Sequence, residues 1–355
     1  MAFNPFDSYY LAGMAEQIPA VPSFFLDRYF NESETFATNK VIFEIKQGDS
    51  GMAPFVDPNV GNIPVERDGY KLSEFEPPLI APSRTMTVDD LRKRGFGEAL
   101  LSNLAPDARA VALQTRDLAD LDRRIRRREE WMAVQAMTTN GVVVQEYIDA
   151  RTTGRQLPIY YYDITAGSNP GAYTVGSQWT SFAAMSADVE AMADALSERG
   201  LPAEDLILGA KVWTAVKGFA DLQAALDNRR VEVGQIAEKY AQYGVTFAGQ
   251  LDFNGHILNV WVSKEKHVDD ATGNSVCTFP EKGACVTYPG CGKIYYGAHT
   301  FIPEGSTEFT TIEGKRVPVL KIDHIHDMRL FVDAAHPIVA PKEYTPWIFA
   351  ANVIA

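Results

Sequence analysis

The residues best suited to chemistry are three cysteines and a histidine near one another, Cys277, Cys285, Cys291 and His299. Thiolate and imidazole groups are common ligands of structural zinc, and such sites usually space their cysteines two to four residues apart. Here seven residues separate the first two cysteines and five separate the next two, which matches no standard zinc motif. Cysteine is also among the most buried residue types. We therefore predict buried free thiols and no metal site.

A second candidate is the pair His324 and His326 in the sequence Asp-His-Ile-His-Asp. In a β-strand the two imidazoles would share one face, as two metal ligands would. The flanking acids would point the opposite way, and no third ligand lies nearby in the sequence. We therefore favour surface histidines. The first alternative is a cytoplasmic metal- or thiol-dependent enzyme that uses Cys285, Cys291 or this histidine pair.

Other catalytic signatures are absent from the sequence. It contains no Gly-x-Ser-x-Gly nucleophile motif, no Gly-x-x-x-x-Gly-Lys-[Ser/Thr] phosphate loop and no Gly-x-Gly-x-x-Gly dinucleotide motif. We predict no catalytic, cofactor-binding or metal-ligating residues and no cofactor.

Five arginines in six positions, Arg123–Arg128, form the most basic run of the chain. A basic run on a helix can bind a phosphate backbone, so a nucleic-acid-binding module is the second alternative. Acids bracket the run, however, and Asp120–Arg124 and Asp122–Arg126 have the i,i+4 spacing of helical ion pairs. We therefore predict that these arginines pair with carboxylates, within the helix and across subunit contacts, rather than with DNA.

These arginines lie in the longest predicted element, a helix over residues 107–139. Asp107 is a suitable N-cap, Asn140-Gly141 is a stop signal, and no proline or glycine intervenes. At about 1.5 Å per residue the helix would be about 50 Å long. A narrow apolar stripe recurs every seven residues, at Val111, Leu118, Ile125 and Met132. Such a helix is expected to lie across a surface.

Two segments before this helix lack a core of their own. Residues 1–40 contain an apolar cluster typical of a short docked helix, formed by Phe24, Phe25, Leu26, Tyr29 and Phe30. After a predicted strand at Val41–Ile45, six prolines and four glycines lie between Gly48 and Pro82. This density excludes a long helix and interrupts central strands. We interpret residues 41–85 as an extended β-arm that another subunit or domain stabilises.

The remaining chain alternates helical and strand patterns. A strand is predicted at Ile159–Ile164, and strand-like sequence returns from Arg316 to the end. Between them the pattern predicts a compact α/β unit: a helix from near Ser186 to Gly200, a buried strand at Leu206–Leu208, helices over 211–227 and 231–243, and a hairpin of Thr246–Phe253 with His256–Ser263 around Asn254-Gly255.

Composition excludes several classes of protein. The 355 residues are 46% hydrophobic and 22% charged, which is typical of globular chains. Lys plus Arg number 33 against 46 Asp plus Glu, so the net charge of −13 disfavours general DNA binding. No apolar run reaches the ~18 residues that a membrane span needs, and the start lacks the features of a secretory signal. Three cysteines fit a reducing cytoplasm better than a disulfide framework.

The order of these elements resembles the tailed-phage major capsid proteins of the lambda coat-protein family, the major capsid protein E type. The resemblance spans nearly the whole chain and is best over residues 24–94. The stretches that carry it are Phe24–Ser33, Phe36–Val41, Met52–Pro58, Ser73–Pro77, Ile80–Pro82, Ser83–Arg94, Asp205–Lys217 with Trp213, and Ala335–Ala355.

This resemblance implies an α+β fold of the Hong Kong 97 phage type. Residues 1–40 would be an N-arm and 41–95 an extended loop that reaches over a neighbouring subunit. Residues 96–185 would form a peripheral domain around a spine helix at 107–139, and 186–315 an α/β axial domain. Residues 316–355 would return to the peripheral domain as strands.

The resemblance also implies a structural role in the virion without catalysis. The chain would be assembled in the host cytoplasm into pentamers and hexamers of an icosahedral shell. That shell would enclose double-stranded DNA without sequence-specific binding, and a decoration protein, a scaffold and a portal are possible further partners; no membrane is involved. The residues that we predict to contact neighbouring subunits are Arg124, Arg127, Arg128, Phe55, Phe75, Phe24 and Phe25.

Overall fold

The computed structural model of the chain describes residues 23–38, 40–46, 70–92, 106–147, 153–161, 169–222, 244–270, 272–303, 306–323 and 328–355. The helices in these ranges are α1 (Phe24–Tyr29), α2 (Val88–Arg92), α3 (Pro106–Thr139), α4 (Phe182–Ser197) and α5 (Ala210–Val216). Several predicted segments, including 231–243, lie outside the described residues.

Strands before residue 270 are β1 (Glu32–Phe36), β2 (Val41–Lys46), β3 (Tyr70–Phe75), β4 (Ser83–Thr87), β5 (Gly141–Tyr147), β6 (Thr153–Tyr160), β7 (Ala172–Tyr173), β8 (Asp205–Gly209), β9 (Val245–Phe253), β10 (His256–Ser263) and β11 (Lys266–Val268). Later strands are β12 (Ser275–Cys277), β13 (Ala284–Thr287), β14 (Gly292–Gly297), β15 (His299–Phe301), β16 (Thr310–Ile312), β17 (Val317–Asp323), β18 (Met328–Ala334), β19 (Pro337–Pro341) and β20 (Trp347–Ala350).

A six-stranded mixed sheet forms the centre of the structure, in the order β7-β20-β13-β8-β10-β9. Every residue of β8 is buried, which places this strand in the core on both faces. Leu206 and Leu208 pack with apolar residues of α4 and α5, whereas Ile207, between them, packs with α1. The alternation of side chains along a strand therefore joins two cores across one sheet.

Helix α3 is the longest described element and confirms the predicted helix over 107–139. It begins at Pro106, so Asp107 lies inside its first turn instead of capping it. It ends where predicted: Asn140 takes the left-handed conformation, φ 52°, that stops a helix. Its second half packs on α1, β5 and β19, and its first half packs on β4, β17 and β18 through Leu118.

Two ribbons extend from this body. Strand β2 pairs with β3, from Val41 opposite Phe75 to Lys46 opposite Tyr70. Strand β5 pairs with β6, and Gly141 lies opposite Tyr160. The first ribbon confirms the strand predicted at 41–45. The strand predicted at 159–164 instead ends at Tyr160, because its partner strand begins at Gly141.

The predicted α/β unit is confirmed in its main elements. Strand β8 and the β9–β10 hairpin around Asn254-Gly255 lie where the sequence places them. Helix α4 begins at Phe182, earlier than predicted, because the Ser181 hydroxyl accepts a hydrogen bond from the N–H of Ala184 and caps it. Helix α5 ends at Val216, well short of the predicted residue 227, just before Gly218.

The strand pattern predicted after Arg316 is also confirmed, but its strands enter three different sheets. Strands β17 and β18 form a sheet with β4, whereas β19 pairs with β14 in the sheet β1-β14-β19. The last strand, β20, joins the six-stranded sheet between β7 and β13. The C-terminal segment therefore ties the sheets of the chain together.

Candidate assembly interface

Helix α1 is anchored to the centre of the same chain by a buried ion pair. The Arg28 guanidinium donates to Asp205 from Nε at 2.5 Å and from Nη2 at 2.8 Å. The Tyr29 hydroxyl and the Asn259 amide also donate to this carboxylate, at 3.0 and 3.1 Å. The Arg28 guanidinium additionally lies 4.8 Å from the ring centroid of Trp261. Asp205 opens β8, so this network joins the N-terminal segment to the central sheet.

A second carboxylate holds the start of α1 against α3. The two side-chain oxygens of Glu130 accept hydrogen bonds from the backbone N–H groups of Phe25 at 2.8 Å and Leu26 at 3.0 Å. The first N–H groups of a helix have no partner within that helix. Glu130 therefore supplies from α3 the cap that α1 lacks in its own sequence.

Phe24 and Phe25, which we predict to contact a neighbouring subunit, pack into the core of their own chain. Both rings are buried. The Phe24 ring lies 4.9 Å from the ring of Trp261, and the Phe25 ring stacks on Phe279 at 6.0 Å. Their pocket is supplied by the central sheet and α3, so neither ring is exposed to another subunit.

The arginines of α3 divide between local and tertiary partners. Arg124 pairs with Asp120 at 3.3 Å, as predicted from their spacing. Arg128 pairs with Asp270 beyond β11 and lies over the ring of Trp131. Arg127 is exposed and forms no ion pair within the ranges that the structure describes.

The predicted pair Asp122–Arg126 is wrong, because each partner has a less exposed tertiary contact. Arg126 reaches Asp27 of α1 at 2.6 Å. Asp122 accepts from Nε of Arg316 at 2.7 Å, and the same guanidinium binds Glu129 through both terminal nitrogens. Helix α3 is thus bonded to α1 at one place and to the start of β17 at another.

Of the remaining predicted contact residues, Phe75 is partly exposed at the end of β3, where its ring meets Tyr161 edge-on at 6.1 Å. Phe55 lies outside the described residues. The predicted contacts are therefore not gathered into one surface: two are core, three lie along α3 and one lies at the base of the β2–β3 ribbon.

The outward face of the β5–β6 ribbon is a surface that the sequence analysis missed. Val143, Tyr147 and Tyr160 on it are 41%, 42% and 45% exposed. The register places five uncharged side chains on this face, those of Val143, Gln145, Gln156, Pro158 and Tyr160, and Tyr147 follows beyond a β-bulge. The available signal was the run of three β-branched valines at 142–144, which favours a strand. A neutral face on a chain of charge −13 is suited to contact with another acidic surface.

The candidate metal and thiol residues do not converge. Cys285 and Cys291 are buried and Cys277 is partly buried, all as free thiols. Burial raises the pKa of Cys291 to about 12, which disfavours the reactive thiolate. His324 and His326 lie outside the described residues. Across the described ranges, no group of three or more histidine, cysteine or acidic side chains is arranged to hold a metal ion.

His299, the fourth member of the predicted cluster, instead contacts another histidine. Its Nδ1 lies 3.1 Å from Nε2 of His336, and its ring stacks on Phe301. Burial lowers the pKa of both histidines. This pair is a local packing contact next to Pro77.

No helix among the residues that the structure describes has the length and apolar character required to cross a bilayer.

Solved structures match the fold over nearly the whole chain. One is a prophage protein of E. coli CFT073 assigned as a capsid protein, with a TM-score of 0.67, 17% identity and coverage of 98% of this chain and 99% of that chain. Another is a phage-related protein of Bordetella bronchiseptica RB50, with a TM-score of 0.50, 13% identity and coverage of 98% and 97%. These likenesses define the class: a capsid-type fold of mixed helices and strands.

The sequence then assigns the family. A profile of the family described as phage major capsid protein E matches residues 7–343. The chain therefore belongs to the phage major capsid protein E family and is a structural subunit of a phage capsid. Comparison with curated proteins gave no match. The resemblance noted in the sequence is confirmed, and the enzyme alternative has no support.

Proposed function

We propose that this subunit assembles into pentamers and hexamers of an icosahedral shell around double-stranded DNA. The observation that carries the proposal is the neutral outward face of the β5–β6 ribbon. One face of this ribbon packs on α3, whereas Val143, Tyr147 and Tyr160 stay exposed in the isolated subunit. In a protein with a net charge of −13, copies meet most readily where no like charges oppose each other. A second subunit would cover the exposed side chains without opposing like charges.

The division into an N-arm, an extended loop, a peripheral domain and an axial domain is part of the proposal. Helix α3 and the β5–β6 ribbon support a peripheral unit within residues 96–185. Strands β8, β9, β10 and β13 support an axial unit within 186–315. The ribbon β2–β3 supports a loop over 41–95 with its base on the body. Strands β17, β18 and β19 support a return of residues 316–355 towards α3, against which β18 and β19 pack.

The charge of the subunit supports enclosure of DNA without tight binding. Electrostatic attraction to phosphates gives most of the non-specific affinity of DNA-binding proteins. A subunit of charge −13 lacks this attraction over most of its surface, so packaged DNA would remain free to move. Assembly in the host cytoplasm and contacts with decoration, scaffold and portal proteins complete the proposal.

Purified subunit is expected to form megadalton particles or stable rings, because its ribbons need neighbours to cover them. Sedimentation velocity and electron microscopy of the chain expressed alone measure this directly. Metal analysis of the same sample tests the enzyme alternative. A monomer or small oligomer that carries stoichiometric zinc would contradict the proposal.

Replacing Arg124, Arg127 and Arg128 together by Ala is expected to weaken assembly in a salt-sensitive way. One exposed ion pair contributes only about 0–1 kcal/mol, so a single substitution should have little effect. Particle yield at low and at 0.5 M salt is the measurement, with packaged DNA measured in parallel.

The matched control is the triple replacement of the same arginines by Lys, which keeps the charge. It should assemble at nearly the yield of the unmodified chain. If the Ala variant assembled normally but packaged DNA poorly, the arginines would serve nucleic-acid binding and this part of the proposal would be wrong.

A further inference from the structure

We propose that the contact between His299 and His336 attaches the base of the β2–β3 ribbon to the body in an acid-sensitive way. The attachment holds at neutral pH and weakens as the pH falls. This device is contained within one subunit, and it goes beyond the proposed role in a shell without depending on it.

The two histidines lie where three parts of the chain meet. His299 begins β15, His336 lies between β18 and β19, and Pro77 follows the end of β3 by two residues. The backbone N–H of Gly297 donates to the carbonyl of His336 at 2.9 Å. A Cβ atom on Gly297 would lie only 3.2 Å from both His336 and Pro77. The junction is therefore closely packed, so a force between the two rings acts on the backbone segments that carry them.

The contact between the two rings requires one nitrogen without a proton. Nδ1 of His299 lies 3.1 Å from Nε2 of His336, which is hydrogen-bond distance. His336 also hydrogen-bonds the backbone carbonyl of Pro77, to which only a ring N–H can donate. A neutral imidazole has one donor and one acceptor nitrogen. The bond to Pro77 therefore uses Nδ1–H of His336, which leaves Nε2 to accept from Nδ1–H of His299.

The number of protons on the pair decides whether the contact holds. One added proton is tolerated, because a change of tautomer still leaves a single N–H between the two facing nitrogens. A second added proton makes both facing nitrogens donors, and it places two positive charges on rings whose centroids are 5.3 Å apart. The doubly protonated rings therefore repel each other, and the junction opens.

The charged groups around the pair do not offset this repulsion. Lys321 of β17 acts on His299 and disfavours its protonation. Asp333 of β18 is buried, and the cation that acts on it is Arg316. The other acids on the neighbouring segments are exposed, namely Glu74, Glu76 and Glu313. Within the part of the chain that the structure describes, no carboxylate forms an ion pair with either histidine.

The direction of the pH effect follows from the surroundings of the two rings. Burial, then the charges of His336 and Lys321, lower the pKa of His299. Burial also lowers the pKa of His336, although the bond to Pro77 acts in the opposite direction. In the open junction both imidazoles would titrate near their usual pKa of about 6.5, so below that pH the closed junction holds fewer protons. The stability of the closed junction is fully present above about pH 6.5 and is lost as the pH falls through the lowered pKa values.

Hydrogen exchange of the full-length protein, followed by mass spectrometry, tests this attachment. The reporters are peptides that contain Ile80 and Gly297, whose N–H groups donate to the carbonyls of Ala335 and His336. Their protection factor is divided by that of peptides covering β8, which removes the intrinsic pH dependence of exchange. Between about pH 7.5 and pH 5 this ratio should fall about fivefold, the change expected from the loss of one neutral hydrogen bond.

Three variants separate the outcomes. The double variant His299→Asn with His336→Gln keeps an amide donor and an amide acceptor but takes up no proton, so the fall should disappear. His336→Gln alone keeps one titrating ring and should reduce the fall. The control His256→Gln removes a histidine of β10 that lies 2.9 Å from Asp194, and it should behave as the unmodified chain. Circular dichroism at each pH monitors folding of every variant. A constant ratio in the unmodified chain, or an equal fall in the double variant, would overturn the proposal.

Discussion

A variant in which Asn-Gly replaces residues 47–69 is expected to fold and to fail to form closed shells. Lys46 lies opposite Tyr70 at the end of the β2–β3 ribbon, so a two-residue turn can join them without a change of register. The base of the ribbon stays attached, because Val41 is buried in the core and Phe75 packs against it. The replaced residues include Phe55 and several prolines and glycines, and the resemblance assigns them to the loop that reaches a neighbour.

The measurement has two parts. Urea unfolding should give a midpoint close to that of the unmodified chain, whereas sedimentation and electron microscopy should show no closed particles. A control variant replaces residues 47–69 by a Gly-Ser linker of the same length. It distinguishes the contribution of the loop's side chains from that of the loop's length. This control should also fail to assemble. Normal particles from the short variant would show that the loop is dispensable.

The elements predicted correctly from the sequence are those that local signals define. Helix α3 has an uninterrupted helical pattern and a left-handed stop at Asn140, and the β9–β10 hairpin has Asn254-Gly255 at its turn. These features depend on residues close together in the chain. The local interactions that form this helix and this hairpin need no tertiary contact, so they can be predicted from the sequence alone.

The partners of the charged residues could not be predicted in the same way. Asp122 and Arg126 have the right spacing for a helical pair, yet each binds a residue far away in sequence. A partly desolvated pair with a tertiary partner is stronger than an exposed helical pair, and spacing along one helix does not reveal it. The burial of Glu129 could have been predicted from the sequence. This residue lies four positions after Ile125 and three before Met132, which places it on the apolar face of the helix.

The anchoring of α1 shows a related limit. The aromatic cluster at residues 24–30 correctly predicts a short docked helix. The sequence does not say which chain supplies the pocket, because hydrophobic burial has no direction and either a neighbour or the same chain would satisfy it. The structure assigns the pocket to the same chain through Glu130 and Asp205, whose positions at a helix face and a strand start give no local sign of burial.

Asp205→Ala is expected to have the largest effect on stability of any single substitution considered for this chain. The Asp205 side chain is fully buried and the Arg28 side chain is 25% exposed. Removal of one partner of such a pair leaves an uncompensated charge in the interior, which typically costs about 3–5 kcal/mol. The Tyr29 hydroxyl and the Asn259 amide would also lose their acceptor. Urea unfolding of the purified variant measures this cost.

The matched control is Glu34→Ala, which removes another ion pair between the N-terminal segment and the body, that of Glu34 with Lys293. The Glu34 side chain is 58% exposed, so its loss should cost no more than about 1 kcal/mol.

Adding Arg28→Met to Asp205→Ala removes the unpaired charge of Arg28 and should recover part of the lost stability. A double-mutant cycle measures this coupling. If Asp205→Ala cost no more than Glu34→Ala, or the double variant recovered nothing, the ion pair would not anchor α1. Because α1 also covers the inner face of the central sheet, a weakened anchor should expose that face and lower the yield of shells in proportion to the lost stability.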